Sequence, residues 1–293
     1  MSVPAAFIAT VLIWATTPLA IKWSAVDTDF IFSASSRMGL SAIVCVLILL
    51  LLGRSLPWRN GVWRVYVAAA IGFYGALMCV YWAAQSQTSG MISVLFGLTP
   101  LMTSALACYL LQEQSLSMNK VTGMLLGFVG LLIIFFAELG TGSSLWGFMV
   151  LLVAVFLHAL STVAVKRSAI ELNPLDVTAG GLLISLPLYL LSWWFLGASL
   201  PDEISLRATS AILYLAIFGS VIGFLLYFYV LRHSSASQAG LIPLLTPVIA
   251  LWLGSQFNSE EVTWQTLLGT FLILFGLCLH QWGARLFVTH QKA

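Results

Sequence analysis

Residues 95–117, LFGLTPLMTSALACYLLQEQSLS, return in altered form at residues 241–263, LIPLLTPVIALWLGSQFNSEEVT. Both copies carry a Leu-Thr-Pro triplet, which ends at Pro100 in the first and at Pro247 in the second. The other matched pairs, in chain order, are Lys22 with Lys166, Glu113 with Glu260, Gly123 with Gly269 and Gly130 with Gly276. Apolar segments share few residue types and often match by chance, but matches in the same order at several places favour a duplicated chain.

The composition of the chain predicts that most of its outer surface faces lipid. Hydrophobic residues make up 60% of the 293 residues and charged residues 8%, whereas soluble domains carry about 25% charged residues. The net charge of +2 is small and scattered, so nucleic acid is not an expected partner. The four cysteines lie inside apolar runs, which is typical of small buried residues rather than of disulfides or metal ligands.

The chain contains about ten runs that are long enough to span a bilayer, which takes roughly 20 mostly apolar residues. The runs are Val3–Lys22, Ile31–Gly53, Val62–Gln85, Ser89–Leu111, Val121–Ala137, Leu145–Val165, Leu175–Gly197, Ala208–Leu231, Ala236–Phe257 and Thr266–Val288. The first run lacks a preceding basic segment, so we interpret it as a transmembrane helix and not as a signal peptide.

Each copy of the repeat holds five of these runs, and five is an odd number. The second copy must therefore enter the membrane from the opposite side. We predict an all-α membrane protein with about ten transmembrane helices in two inverted five-helix repeats, over residues 1–140 and 145–293. Inverted repeats are typical of secondary transporters, whose substrate site lies near the midplane between the halves.

The distribution of lysine and arginine predicts that both termini are cytoplasmic. Arg37 lies within the second run and is left out of the count. The cytoplasmic side then receives Arg54, Arg59, Arg64, Lys120, Lys166, Arg167, Arg232, Arg285 and Lys292, and the outer side receives Lys22 and Arg207. We therefore expect a multi-pass protein of the cell inner membrane.

The repeated segments resemble a known family. The two runs quoted above, continued by GMLLGFVGLLII and GTFLILFGLCL, are similar to the EamA-type repeats of the drug/metabolite transporter superfamily. LIWATTPLAIKW, residues 12–23, resembles the first helix of that family, and Arg37 matches its second-helix arginine. The resemblance implies a ten-helix exporter. Amino acid exporters are one branch of that superfamily. The second copy differs from the family pattern at His158, which occupies the position that Trp14 has in the first copy. The first copy differs by an extra residue after Glu113.

The third run carries polar residues at helical spacing, namely Tyr74, Met78, Tyr81 and Gln85. Polar groups inside a membrane tend to face protein or a wet cavity. We interpret this stripe as a wall of the substrate cavity. The alternative is interfacial anchoring, because tyrosine is enriched at the membrane boundary, and it applies most strongly to Gln85 near the end of the run.

Prolines interrupt the fourth and ninth runs at Pro100, Pro243 and Pro247. A proline deletes a backbone donor, and broken helices in transporters turn polar backbone toward the substrate. The alternative is a kink that only packs helices closely.

Two equivalent positions, Trp14 and His158, fall on the first and sixth runs, and the symmetry of the repeats places both near the centre. Tyr227 belongs to an aromatic group on the eighth run that offers ring surface to a ligand. The alternatives are a histidine satisfied by a neighbour and aromatic rings that fill gaps between helices.

The residue types that are absent from the apolar runs restrict the range of possible functions. No Asp or Glu lies in the middle of a run, although proton-driven pumps usually rely on such carboxylates. The histidines show no metalloenzyme spacing, so we expect no catalytic residues, metal or cofactor. Arg37 is the one residue that could meet a phosphate, and it is as well suited to binding helix-end carbonyls.

We therefore predict a transporter that exports small neutral or zwitterionic organic metabolites by alternating access, with amino acids, including aromatic ones, as the best guess. A drug or toxin exporter is the alternative within the same class, and a membrane-embedded enzyme or an assembly subunit is the alternative outside it. The expected partners are a small-molecule substrate and the lipid bilayer. A monomer is one option, since the sequence does not fix the oligomeric state.

Overall fold

A computed structural model describes residues 2–58, 61–111, 118–141, 144–168, 170–197, 200–244 and 246–288. All regular secondary structure in these ranges is helical, which confirms the predicted all-α fold. The ten helices are α1 Val3–Ser24, α2 Phe30–Leu51, α3 Trp63–Ala83, α4 Ser89–Leu111, α5 Met118–Thr141, α6 Leu145–Arg167, α7 Pro174–Leu196, α8 Leu206–His233, α9 236–258 and α10 Trp264–Val288. Glu113, one of the matched glutamates, lies outside the described residues.

Seven of the described helices are long and apolar enough to cross a membrane, and α5 and α10 contain shorter apolar stretches, Val121–Ala137 and Trp264–Gly276. The outer surface of the bundle is apolar. Trp194, for example, is 82% exposed and Phe195 is 80% exposed. An exposed apolar surface of this extent marks contact with a membrane, so the chain is a multi-pass membrane protein.

Two helices are broken where the sequence predicts it. A turn at residues 97–98 divides α4 into Ser89–Phe96 and Thr99–Leu111. In α9, a 3₁₀ turn at Ile242–Leu244 precedes the helix Thr246–Asn258. The prolines explain both breaks, because neither Pro100 nor Pro247 can donate a hydrogen bond to the preceding turn.

Two other helices, α3 and α8, widen into π-helical turns at Ile71–Ala76 and Leu215–Ile222. The wide turn of α8 is held by the first half of the chain. Trp14 Nε1 on α1 donates to the carbonyl oxygen of Gly219 at 3.2 Å, and Ser41 Oγ on α2 donates to that of Ala216 at 3.2 Å.

The second half binds α3 in the same way, at its wide turn and just before it. Ser161 Oγ on α6 donates to the carbonyl oxygen of Ala68 at 2.8 Å, and the hydroxyl of Tyr189 on α7 donates to that of Phe73 at 2.8 Å. The first two helices of each half therefore bind the third helix of the other half. This exchange of contacts is what a duplicated fold produces.

The matched lysines have matched structural roles. Lys22 Nζ, near the end of α1, donates to the carbonyl oxygen of Ala84 just after α3, at 2.8 Å. Lys166 Nζ, near the end of α6, donates to that of Leu231 in the last turn of α8, at 2.9 Å. A cation at a helix C-terminus satisfies carbonyls that have no partner within the helix and complements the helix dipole. Both lysines thereby fix the third helix of their own half.

Helices α5 and α10 meet backbone to backbone through the matched glycines. A Cβ on Gly130 would lie 2.6 Å from the carbonyl oxygen of Gly269, and a Cβ on Gly276 would lie 2.5 Å from that of Gly123. The pairing of 130 with 269 and of 123 with 276 makes the two helices antiparallel. Small residues allow such close approach in membranes, where dispersion forces replace the hydrophobic effect between helices.

We expect Gly269→Ala to separate α5 from α10, because its new methyl group would meet the Gly130 carbonyl oxygen at 2.7 Å. Overpacking of this kind costs about 1–3 kcal/mol of folding free energy. The measurement is the thermal unfolding midpoint of detergent-solubilised protein. The matched control is Gly39→Ala, whose Cβ would have its nearest neighbour at 3.9 Å. Equal midpoints for the two variants would contradict this description of the interface.

Candidate substrate cavity

A cavity lies at the centre of the bundle, between the two halves. Seven helices contribute to it: α1, α2, α3, α4, α6, α8 and α9. The lining residues are Trp14, Thr17, Pro18, Ile21, Arg37, Leu77, Val80, Ile92, Ser93, Phe96, His158, Phe224, Pro243 and Thr246. Since both halves supply walls, a relative movement of the halves would change its shape.

Aromatic rings form one continuous wall of the cavity. The ring of Trp14 stands edge-on to His158, with centroids 5.7 Å apart, and lies 5.0 Å from Phe224. Phe96 approaches His158 from the other side at 5.8 Å. Ring faces and edges of this kind bind apolar and aromatic groups.

The hydrogen bond from Trp14 to Gly219 gives this wall a fixed position. The indole nitrogen is engaged with the wide turn of α8, so the ring cannot rotate freely. Gly219 is the equivalent of Gly72 in the first copy. The indole thus belongs both to the cavity wall and to the contact between the halves.

His158 lies opposite this indole, buried in the cavity wall at 6% exposure. Its Nε2 atom has no hydrogen-bond partner among the described residues. A neutral imidazole can donate or accept a hydrogen bond at that atom, according to its tautomer. His158 is therefore a buried polar group in the cavity wall whose Nε2 atom pairs with none of the described residues.

The break in α4 meets the break in α9 across the cavity. Ser93 Oγ donates to Thr246 Oγ1 at 3.1 Å, and Thr246 Oγ1 donates in turn to the carbonyl oxygen of Pro243 at 2.8 Å. All three residues line the cavity. The interrupted helices thus present hydroxyl groups and irregular backbone at the centre of the protein, as expected of a transporter.

Arg37 is the charged residue of the cavity wall, and it is 2% exposed. Its Nε atom donates to Ser220 Oγ at 2.8 Å, and its guanidinium carbon lies 5.9 Å from the centroid of the Tyr81 ring. Its Nη1 atom has no hydrogen-bond partner among the described residues. The side chain is held in place, but its charge is not balanced by a carboxylate within 4 Å in the described part of the chain.

The cavity extends toward one end of the bundle. Ile21 and Ile92, at the ends of α1 and α4 that face residues 25–29 and 84–88, belong to its wall. Toward the opposite end, the Tyr227 hydroxyl and Thr162 Oγ1 form a short hydrogen bond. The rings of Phe73 and Phe224 pack there with centroids 4.2 Å apart. The structure therefore has a cavity that is closed by packed side chains on one side.

The structure brings some of the predicted site residues together. Trp14 and His158 line the cavity. Tyr227 lies behind them, with its ring centroid 5.0 Å from that of Trp14. Tyr81 is fully buried against Arg37.

Other predicted residues lie away from the cavity wall. The Tyr74 hydroxyl pairs with Ser192 Oγ on α7 at 2.7 Å. The exposed Gln85 side chain donates to the carbonyl of its own turn, at Trp82. Met78, Pro100 and Pro247 are also not among the lining residues. Substrate contact by these residues stays a prediction.

The wide turn of α3 explains why its polar stripe does not line the cavity. The stripe assumes 3.6 residues per turn, but Tyr74 lies within the π-helical segment, where an extra residue in the turn shifts the phase. The side chains of α3 that do line the cavity are Leu77 and Val80. Gly72 and Gly219 fall within the two wide turns.

The model of the EamA-like transporter family matches the chain twice, over residues 2–136 and 145–280. The chain belongs to the EamA-like transporter family. The two matches agree with the duplicated fold, while the limits of the halves at 1–140 and 145–293 stay a prediction.

Relatives in the family support a transporter without naming a substrate. An uncharacterized transporter of Archaeoglobus fulgidus is 27% identical over 92% of this chain and 94% of its own length. The uncharacterized transporter YoaV of Bacillus subtilis is 26% identical over 93% and 94%. Protein PecM of Dickeya dadantii is 26% identical over 80% and 78%.

A solved crystal structure has the same fold as this chain. It covers 97% of this chain and 99% of its own, with a TM-score of 0.72 and 19% sequence identity. At this identity the likeness concerns the fold alone.

The one-sided shape of the cavity predicts a difference between equivalent threonine and serine positions in the two halves. Thr17 is half-buried in the cavity wall, whereas its equivalent Ser161 is buried against α3. In a variant without its native cysteines, we expect Thr17→Cys to react with a small charged methanethiosulfonate and Ser161→Cys to react much more slowly. Labelling is read by mass spectrometry in intact liposomes.

Val26→Cys marks the side of the membrane, because Val26 is 57% exposed in the loop after α1. Thr17→Cys should be labelled from the same side as Val26→Cys. Faster labelling of Ser161→Cys, or labelling of Thr17→Cys from the opposite side alone, would refute the described opening.

Proposed function

We propose that the protein exports small neutral or zwitterionic organic metabolites by alternating access through the central cavity, and that amino acids with apolar or aromatic side chains are its main substrates. The observation that carries this proposal is the position of the cavity between the two halves, with walls from seven helices. In inverted-repeat transporters this interface is where solutes bind.

The walls of the cavity support this substrate class. The rings of Trp14, Phe96 and Phe224 offer surface to an apolar side chain. The free Nε2 of His158 and the hydroxyls of Ser93 and Thr246 offer hydrogen bonds to the polar end.

Export rests on the resemblance of the repeats to a family of exporters. The lysine and arginine distribution favours cytoplasmic termini, and residues 25–29 are then on the outer side. The cavity extends toward that side and is closed by packed side chains on the other, which agrees with an outward-facing conformation. The cavity is complete within one chain, and a monomer is sufficient for it.

The two alternative functions would give different results with the purified protein in liposomes. A drug or toxin exporter would move bulky apolar cations better than amino acids. A membrane-embedded enzyme would convert its substrate without net flux, whereas the proposed transporter releases an unchanged solute on the other side.

We expect Trp14→Ala to reduce amino acid uptake by about tenfold, because it removes ring contacts and the bond to Gly219, which together are worth roughly 1.4 kcal/mol or more. Uptake of labelled phenylalanine into proteoliposomes measures this effect. The matched control is Trp194→Ala, since Trp194 is 82% exposed on the lipid-facing surface. Equal losses in the two variants would contradict binding in the cavity.

We also expect transport to run down the solute gradient without a proton gradient. Coupling needs a group near the midplane that binds and releases a proton, and carboxylates are the usual choice. Among the residues that line the cavity, His158 is the sole such candidate. Phenylalanine flux is measured with an imposed pH gradient, with and without an ionophore.

Accumulation against the solute gradient that disappears with the ionophore would contradict uncoupled transport. If His158→Ala then abolished the accumulation but kept downhill flux, His158 would be the proton carrier.

A further inference from the structure

We propose that Arg37 is the anion-binding group of the cavity and that the transported solute must carry a carboxylate that pairs with it. This inference rests on the proposed function and adds the chemical group by which the solute is selected. Four observations support it: the burial of Arg37, its place in the cavity wall, its unused hydrogen-bond donors and the lack of a counter-charge.

Burial of the charged Arg37 side chain inside the membrane is unfavourable in free energy. Arg37 lies about two turns after the start of α2 at Phe30 and is buried, with an exposure of 2%. A buried ion loses its hydration and needs an opposite charge or several hydrogen bonds in return. Residues of this kind inside transmembrane segments mark substrate or ion paths.

The protein supplies only part of that compensation. A guanidinium has five N–H donors, and within the described residues the side chain of Arg37 donates one hydrogen bond, to Ser220 Oγ. The Tyr81 ring, 5.9 Å from the guanidinium carbon, adds a weak cation–π contact. The Nη1 atom is buried without a partner in the described part of the chain.

No carboxylate of the described residues forms an ion pair with Arg37, and three of them have other partners. Asp176 pairs with Arg54 at 3.0 Å, and Glu171 pairs with Arg232 at 3.5 Å. Glu260 accepts hydrogen bonds from the start of α4, at Ser89. Each of these groups lies at a helix end, and none forms an ion pair with Arg37. The cavity wall therefore contains a positive charge that pairs with no carboxylate of the described residues within 4 Å.

A purely structural role for Arg37 would leave a different pattern. An arginine that only held a broken or widened helix would donate to free backbone carbonyls. The wide turn of α8 receives such bonds at Ala216 and Gly219, but their donors are Ser41 and Trp14. Within the described residues, Arg37 contacts this turn through the Ser220 hydroxyl instead.

The surroundings of Arg37 fit the carboxylate end of a small solute. The bond to Ser220 fixes one edge of the planar guanidinium. Gly219 leaves room beside it, because a Cβ there would lie 3.2 Å from Nη2. A guanidinium binds a carboxylate through two parallel hydrogen bonds. Trp14 and Phe224 line the same cavity, so the apolar part of the solute has ring surface to contact.

The cavity offers no carboxylate among its lining residues to an ammonium group. The carboxylate should therefore matter more for transport than the amino group does. Two pairs of solutes separate these groups. Phenylalanine and phenylalaninamide differ in the carboxylate, and phenylalanine and 3-phenylpropionate differ in the amino group.

The experiment measures initial uptake of the three solutes into proteoliposomes, with protein-free liposomes subtracted. We expect the wild type to take up phenylalanine and 3-phenylpropionate at least about tenfold faster than phenylalaninamide, since a charge-assisted pair is worth about that factor or more. Arg37→Gln should lose this preference. Arg37→Lys, which keeps the charge but not the planar fork, should recover part of it. Arg207→Gln, at an exposed arginine, should match the wild type.

The outcomes separate this inference from the proposed function. If the wild type takes up acid and amide equally, Arg37 is not the anion-binding group, and transport through the cavity still stands. If it takes up none of the three, both proposals are wrong. An Arg37→Gln protein that keeps the preference for the acid would also overturn the inference. If Arg37→Gln elutes as aggregate, Arg37→Lys decides. A Lys variant that prefers the acid over the amide as strongly as the wild type does would contradict carboxylate binding by the planar guanidinium. A reduced preference for the acid would support it.

Discussion

Hydrogen bonds from side chains of one half to the widened helix of the other half hold this protein together at its centre. A π-helical turn leaves carbonyl groups without their regular helical partners, and buried carbonyls in a membrane must find donors elsewhere. Trp14 and Ser41 supply them to α8, and Ser161 and Tyr189 supply them to α3. The halves are therefore linked by a small number of polar contacts within an otherwise apolar bundle. A contact of this kind can be exchanged for another, whereas a closely packed apolar interface resists movement.

The cavity depends on the same contacts. Trp14 reaches Gly219 and at the same time forms part of the aromatic wall, and Arg37 is attached to the wide turn through Ser220. A solute that binds the wall or the guanidinium therefore acts on the junction between the halves. Binding energy applied there can shift the balance between conformations, provided that the solute binds one of them more tightly. Neither α5 nor α10 contributes a residue to the cavity wall. Their contact is formed by glycines and backbone among the described residues, and we interpret this helix pair as a rigid support.

The sequence alone predicts the architecture well, because its signals are simple. Ten apolar runs fix the helices, the Leu-Thr-Pro triplets and matched glycines reveal the duplication, and the odd helix number gives the inversion. It predicts the site less well. The stripe from Tyr74 to Gln85 was projected at a constant helical period, and a widened turn in the same helix breaks that period. Arg37 shows the limit differently: its type and position are plain in the sequence, but its missing counter-charge is a property of the packed structure.

The central claim is that a small solute crosses the membrane through the cavity between the halves. Photo-cross-linking of a diazirine analogue of phenylalanine to the protein in liposomes, followed by peptide mapping, tests it most directly. We expect adducts on cavity-lining residues such as Trp14, Phe96 and Phe224. Excess phenylalanine should suppress the formation of these adducts. Adducts confined to the lipid-facing surface around Trp194, or adducts in the cavity that excess phenylalanine does not reduce, would contradict it.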